Sequence, residues 1–333
     1  MLGLAKKSLP SNDFAACTGC SLCLLACPVW RITHDVRLTP HGRAKALQHG
    51  LAASDLVESI GACTFCGACE PACPEDIDLI GMIGGLRRQM WELSSPASPA
   101  RPRGAVVSRP SPTRTRNVFV ANQMLRDSSS TLARVVSLLG VTVVEDDGAD
   151  MSFALETGMS VSPDRIDAFT ESLRRMKRII VADGLLFRHM RAWLPRAPIQ
   201  SLGAALSRLP VVRRNLLATD LYVIEPRGYH ADYTRQVRHY DALRAETGCT
   251  INLDLQRIAI PATAHNLSHR LGHDVANDAP HAQWILHGRR VARIVVESLG
   301  DVSVFEQIAD CPVVHVAHLG DVPDTRARPG ALR

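Results

Sequence analysis

Cys17-Thr-Gly-Cys20-Ser-Leu-Cys23-Leu-Leu-Ala-Cys27-Pro28 and Cys63-Thr-Phe-Cys66-Gly-Ala-Cys69-Glu-Pro-Ala-Cys73-Pro74 are the same phrase written twice. Each reads C-x2-C-x2-C-x3-C-P, and this spacing has a physical reason. Three cysteines two residues apart, on a tightly curled loop, aim three thiolates at one iron–sulfur cubane. The fourth lies three residues on, where the chain has turned away toward a neighbouring cluster. Pro28 and Pro74 help that turn by fixing φ and removing a backbone donor. Gly19, Ser21, Gly67 and Ala68, small residues between the cysteines, let backbone N–H groups approach the sulfurs. Zinc usually takes two C-x2-C pairs and has no use for the third cysteine or for C-P. Disulfide frameworks suit small secreted chains, and nothing in this sequence has that character. The spacing predicts two [4Fe–4S] clusters.

At 333 residues and 46% hydrophobic content, the chain can bury two ordinary cores. The net charge of +5 is mildly basic, and part of it balances tetrathiolate clusters, which are net negative. Aromatic residues make up only 5%, which argues against a nucleic-acid face of interleaved basic and aromatic side chains. Lysines near the N-terminus are followed by no apolar stretch of the signal-peptide kind, and no run reaches the length of a membrane span. Eight of the ten cysteines fall in the two motifs, which suits a reducing compartment. The expectation is a cytoplasmic protein, or one held at the inner face of a membrane through a partner, with no direct span and no nucleic acid.

Between the motifs, 44–60 reads as helix, with Gly50 breaking it and Ser54 capping the second piece. Thr39-Pro-His-Gly-Arg43 precedes it, either as a basic group near a cluster edge or docking surface, or as a helix start with a solvated arginine. Residues 77–93 read as helix again, although Gly81, Gly84 and Gly85 weaken the pattern. Residues 94–116, with five prolines and five serines, read as a semi-extended, positively charged linker. From Asn117 the pattern becomes α/β. Strands are expected at 117–120, 141–144, 178–181, 221–224, 250–253, 292–296 and 313–316. Helices are expected at 130–139, 165–177, 232–246 and near 281–288. The turn Gly140-Val-Thr-Val-Val parallels Gly248-Cys-Thr-Ile-Asn, so 117–333 reads as a duplicated α/β unit with parallel strands. The expected fold class is therefore α + α/β: a helical two-cluster ferredoxin domain (1–93), the linker, then the duplicated domain.

Residues 1–93, matched at all eight cysteines, resemble the helical dicluster ferredoxin module of glycolate oxidase, lactate-utilisation, glycerol-3-phosphate dehydrogenase and heterodisulfide reductase iron–sulfur subunits. By that resemblance Cys17, Cys20, Cys23 and Cys73 hold one cluster, and Cys63, Cys66, Cys69 and Cys27 the other. In these families a duplicated cysteine-rich domain often follows, and 117–333 is similar to it in length and strand order. Its ligands are gone. Asn122 and Arg227 stand where the first cysteines belong, no Cys-Cys-Gly occurs, and Ala182-Asp183-Gly184 and Glu297-Ser298-Leu299 lack the closing cysteines. The remaining Cys249 and Cys311 read as buried, inert thiols.

His265, His269 and His273 would share one face if 264–274 were helical, with His281 following, so a replacement metal or a proton relay is one reading of this set. No catalytic triad, phosphate loop or flavin motif occurs. The implied function is an electron-transfer subunit of an oxidoreductase complex with no catalytic residues of its own. Its donor would be a flavoprotein dehydrogenase subunit, and the electrons would pass toward a membrane quinone-reducing subunit or another carrier. Two other classes stand beside it: a catalytic heterodisulfide- or quinone-reducing subunit, and a cluster-gated redox-sensing protein.

Overall fold

The computed structural model describes residues 13–93, 116–263, 265–272 and 278–321. The linker expected at 94–116 lies almost wholly outside the described residues, as does His273.

The first unit is helical. After two short helices, Leu22–Ala26 and Pro28–Thr33, the helix Pro40–Gln48 begins earlier than the periodicity indicates. Thr39 accepts the Gly42 N–H through its hydroxyl at 3.2 Å, and Pro40 occupies the first helical position, where its missing N–H costs nothing. Gly50, at φ +86°, ends this stretch. The chain restarts as a 3-10 turn, Ala53–Leu56, and a helix, Val57–Ala62. Asp55 rather than Ser54 makes the start: its carboxylate accepts the Ala52 N–H at 2.8 Å. The helix Leu79–Leu93 survives its three glycines because it buries Leu79, Ile80, Met82, Ile83 and Leu86 against Leu56, Ile60 and Phe65. Burial of such an apolar stripe outweighs a propensity loss of about 1 kcal/mol per glycine.

The second unit holds two all-parallel sheets of the same order. In the first, β1 (Asn117–Val120) lies between β2 (Thr142–Val143) and β3 (Arg178–Val181), with β4 (Ile199–Ser201) outermost. In the second, β5 (Asp220–Val223), β6 (Thr250–Ile251), β7 (Arg293–Val296) and β8 (Val313–His315) repeat the order. The register repeats as well: Asn117 pairs with Arg178, and Asp220 with Arg293. The apolar strands β1, β3, β5 and β7 are covered by helices, as parallel sheets require. The short β4 and the helix Gly184–Trp193 after β3 escaped the sequence reading. Pro198 hides the one, and the other opens on a glycine.

The two halves share a core. Phe119 and Ile180 from one sheet pack in the same cluster as Tyr222 and Val295 from the other, and Cys249 is buried there. Cys311 is half-buried at the edge of the second half. Glu297 fixes the joint. It is buried, and its Oε1 accepts from the Tyr222 and Tyr240 hydroxyls at 2.8 and 2.5 Å, while Oε2 accepts the Glu225 N–H at 2.9 Å. Burial pushes its carboxyl up to about 7 despite these donors.

The helical unit is seated on both halves. Glu70 takes a two-pronged bridge from Arg188 at 2.6 and 2.7 Å. Arg31 bonds Asp254 at 2.7 Å and lies 4.1 Å over the Trp284 ring. Trp91 donates to the Thr157 carbonyl at 2.6 Å.

Gly203 lies against Glu297: a Cβ there would come 1.9 Å from the carboxyl carbon. Because three donors hold that carboxylate, it cannot yield. Gly203→Ala is expected to destabilise the protein by roughly 2–4 kcal/mol, read as a lower midpoint in urea. An unchanged midpoint would contradict the fixed joint.

Candidate metal centre

Each cysteine loop curls through left-handed residues at matching positions. These are Gly19 (φ +83°) and Ser21 (φ +65°) in the first motif, Phe65 (φ +57°) and Gly67 (φ +78°) in the second. Such alternation turns successive N–H groups to one side, the geometry of an anion-binding nest. Holding a serine and a phenylalanine there costs on the order of 1 kcal/mol each. The sequence showed the two glycines but gave no sign of Phe65. At Cys27 the backbone is extended, and Pro28 then opens the helix Pro28–Thr33, where the chain turns out of the first cysteine loop.

The thiols fall into two sets. Cys17, Cys20, Cys23 and Cys73 surround one cavity, and Cys27, Cys63, Cys66 and Cys69 surround a second. Each loop thus gives three cysteines to one cavity and one to the other, and Pro40 lines both. The first cavity is the outer one, with Cys20 exposed. At the inner one Cys27, Cys66 and Cys69 are buried. Burial pushes the Cys27 thiol up to about 11, Cys66 to about 12 and Cys69 well above its ordinary value. A soft metal must displace those protons.

Two arginines beside the inner set supply opposing charge. Arg43, 2% exposed, lines the inner cavity and gives its donors to backbone carbonyls, Ser59 at 2.5 Å and Leu38 at 2.7 Å. Arg87, 1% exposed, donates to the carbonyls of Cys63 (2.6 Å) and Glu156 and covers the Phe65 ring at 4.4 Å. Burial pulls its guanidinium down to about 10. Among the described residues neither side chain bonds a carboxylate. An unpaired buried cation costs several kcal/mol, so two of them against four thiols fit an occupant that is net negative. A tetrathiolate iron–sulfur cluster is one. The thiols also ring their cavities instead of converging: among the described residues no three His, Cys, Asp or Glu gather for a single metal ion. Residues 39–43 do start a helix, but Arg43 is buried and lines the inner cavity, so the expectation of a solvated arginine is corrected. The sequence reading did not single out Arg87.

His230 closes the inner loop from the second unit. Its Nε2 accepts the Ala259 N–H at 3.2 Å, which leaves Nδ1 as donor to the Cys66 carbonyl at 2.7 Å. Burial holds this ring neutral, down to about 4.

The positions that lack cysteines also converge. Asn122, Asp183 and Arg227 line one cavity with Thr64 and Cys66. Asn122 and Asp183 cap the helices after β1 and β3. Arg227 bonds the Thr64 carbonyl at 2.9 Å and Glu156 at 2.6 Å. His265 and His269 stack there at 4.1 Å, but the helix covers only Leu267–Arg270. That helix leaves His265 outside it, so the described part of 264–274 is not the continuous helix a shared face needs, and His281 is buried in a separate helix, Ala279–Leu286. Glu156 and Asp301, which the sequence reading passed over, are buried at this cavity, and burial pushes Asp301 up to about 8.

The family model of the 4Fe-4S dicluster domain matches residues 13–77. No curated protein and no solved structure matches the chain. Residues 13–77 are thus a ferredoxin-like iron–sulfur domain of the kind that binds 4Fe–4S clusters, followed by two parallel four-stranded sheets. No helix among the described residues is long and apolar enough to cross a membrane.

Removing one buried charge tests the fit. At an effective dielectric of about 20, a unit charge several ångströms away contributes on the order of 2 kcal/mol, roughly 90 mV for a one-electron couple. Arg87→Met is expected to lower one reduction potential by about that amount in a titration followed by electron paramagnetic resonance. Unmoved potentials would contradict this account of Arg87.

Proposed function

We propose that the chain is the electron-transfer subunit of an oxidoreductase complex, holding two [4Fe–4S] clusters. Cys17, Cys20, Cys23 and Cys73 hold the outer one, and Cys63, Cys66, Cys69 and Cys27 the inner one. The observation that carries the reading is the division of the thiols, three and one from each loop, around two neighbouring cavities. When bound, the clusters supply one-electron storage and passage. The chain's own part is to fix their distance through the shared loops, to keep water from the inner set with Phe65 and Ala68, and to offset charge with Arg43 and Arg87.

The donor is a flavoprotein subunit, and the electrons leave toward a quinone-reducing membrane subunit or another carrier. Exposed Cys20, with exposed Leu22 beside it, supports a partner docking on the outer side. Apolar side chains left open at such a place favour a protein contact.

Anaerobically prepared protein is expected to carry about eight irons per chain and to oxidise no 2-hydroxy acid or polyol with an artificial dye. Native purification is expected to bring a flavin-containing subunit that restores turnover. Unaided turnover by the isolated chain would place it among catalytic subunits.

A further inference from the structure

A groove of about 590 Å³ lies where the first cysteine loop meets the second half of the duplicated domain. Leu25 lines it from the one side, Leu255 and Trp284 from the other. All three apolar side chains are exposed, Leu255 completely. Leu255 is held out by a braced turn. Leu253 pairs antiparallel with Ala259, and Asp254 Oδ1 accepts the Gln256 and Ile258 N–H groups, each at 2.9 Å. The Tyr229 and Tyr233 hydroxyls donate to the Arg257 and Gln256 carbonyls at 2.8 and 3.0 Å. Arg257 takes φ +63° in the same turn, a left-handed conformation unfavourable for a residue with a Cβ. Turns favour Gly, Pro, Asn, Asp and Ser; this one presents a leucine. A side chain fixed in place before contact loses little freedom on binding.

The groove is tied to the cysteine loop. Asp254 Oδ2 takes Arg31, which donates to the Leu25 carbonyl at 2.7 Å and lies over Trp284. Leu25 falls two residues after Cys23 and two before Cys27, which line the outer and inner cavities. A molecule resting on Leu25 therefore touches the loop that serves both thiol sets. Leu22, three residues earlier on the same helix, is exposed as well and extends the apolar side of that helix.

The rim is cationic. Arg31, Arg244 and Arg289 line the groove against one carboxylate, Asp254, and Arg31 engages it. Arg244 comes within 3.9 Å of Asp241, which Arg257 bonds more closely. Arg289 donates to the Ile251 carbonyl at 3.0 Å. An occupant must bring its own carboxylates. A second copy of the chain in a two-fold pair would set these arginines against themselves. Residues 1–12, 94–115 and 322–333 each carry more Lys and Arg than Asp and Glu, so they do not suit the groove either. A concave groove beside a projecting leucine fits a polypeptide segment better than a flat lipid face.

We propose that this groove docks the redox partner through a segment of a different chain, one whose apolar side chains are flanked by aspartate or glutamate. The apolar side chains pack between Leu25, Leu255 and Trp284, and the carboxylates meet Arg244 and Arg289. The proposal rests on the electron-transfer reading and adds the face the partner uses and the chemistry it presents.

The test is site-specific photo-crosslinking of the native complex. The full, iron-loaded chain carries a benzophenone amino acid in place of Leu255, is irradiated in its native host, and the linked peptide is sequenced by mass spectrometry. The expected peptide belongs to another polypeptide and combines apolar residues with Asp or Glu. Arg244→Glu is expected to cut its yield about tenfold with iron content unchanged. The proposal is overturned if position 255 links to a second copy of this chain, to a basic peptide, to phospholipid or to nothing. It is equally overturned if neither Arg244→Glu nor Trp284→Ala lowers the yield. If a flavin-containing subunit still co-purifies and restores turnover, those outcomes remove the groove and leave the electron-transfer reading standing. If no such subunit exists, the reading itself falls, and the proposal with it.

Discussion

Two guanidinium groups that bond no carboxylate among the described residues, buried beside the inner thiols, are the constraint on which the rest of the helical unit depends. Arg43 ties Leu38 to Ser59, and Arg87 ties the Cys63 loop to the Glu156 carbonyl. These bonds join the helices that flank the inner cavity to one another and to the second unit. Hydrogen bonds to carbonyls alone do not repay the transfer of a full positive charge from water. A net-negative occupant of the inner cavity would, and that is how binding and folding become linked in small metal-dependent domains.

The same loops decide how the second unit sits. His230 donates to the Cys66 carbonyl, Arg227 reaches the Thr64 carbonyl, and Gly67 leaves only 3.2 Å between a would-be Cβ and the His230 side chain. The duplicated domain therefore packs on the inner cysteine loop with two buried polar contacts, and the bridge from Arg188 to Glu70 guards their edge. Where the resembling families place cysteines, this chain has helix caps and ion pairs. Asn122 and Asp183 hold helix starts, and Arg227 neutralises Glu156. Those positions have kept a structural duty and also surround a polar cavity.

The cysteine spacing and the parallel, duplicated sheets were legible because both are short-range patterns. Ligand spacing lies within ten residues of chain, and strands such as Arg178–Val181 carry an apolar run, Ile179 to Val181. What escaped needed contacts distant in sequence. Nothing near Arg43 announces that its guanidinium ends on Ser59 O, and nothing near Phe65 announces a left-handed backbone. The helix start at Pro40 was only one of two readings of 39–43, because the pattern of apolar residues begins later, whereas Thr39 and Pro40 set the start by capping. The histidines illustrate the converse. Regular spacing pointed to a shared face, but Gly272, at φ +76°, follows a helix of a single turn, and among the described residues of the set His265 and His269 stack while His281 lies on another helix.

The interlocking of the two loops is the central claim, and spectra of four single variants at controlled potential test it most directly. Serine is a poorer ligand than thiolate for a soft centre, so each replacement should disturb only the cluster it touches. Cys27→Ser is predicted to alter the same paramagnetic signal as Cys66→Ser, and Cys73→Ser the same signal as Cys20→Ser. If Cys27→Ser instead groups with Cys20→Ser in protein that retains its fold, each loop closes its own cluster and the account is wrong.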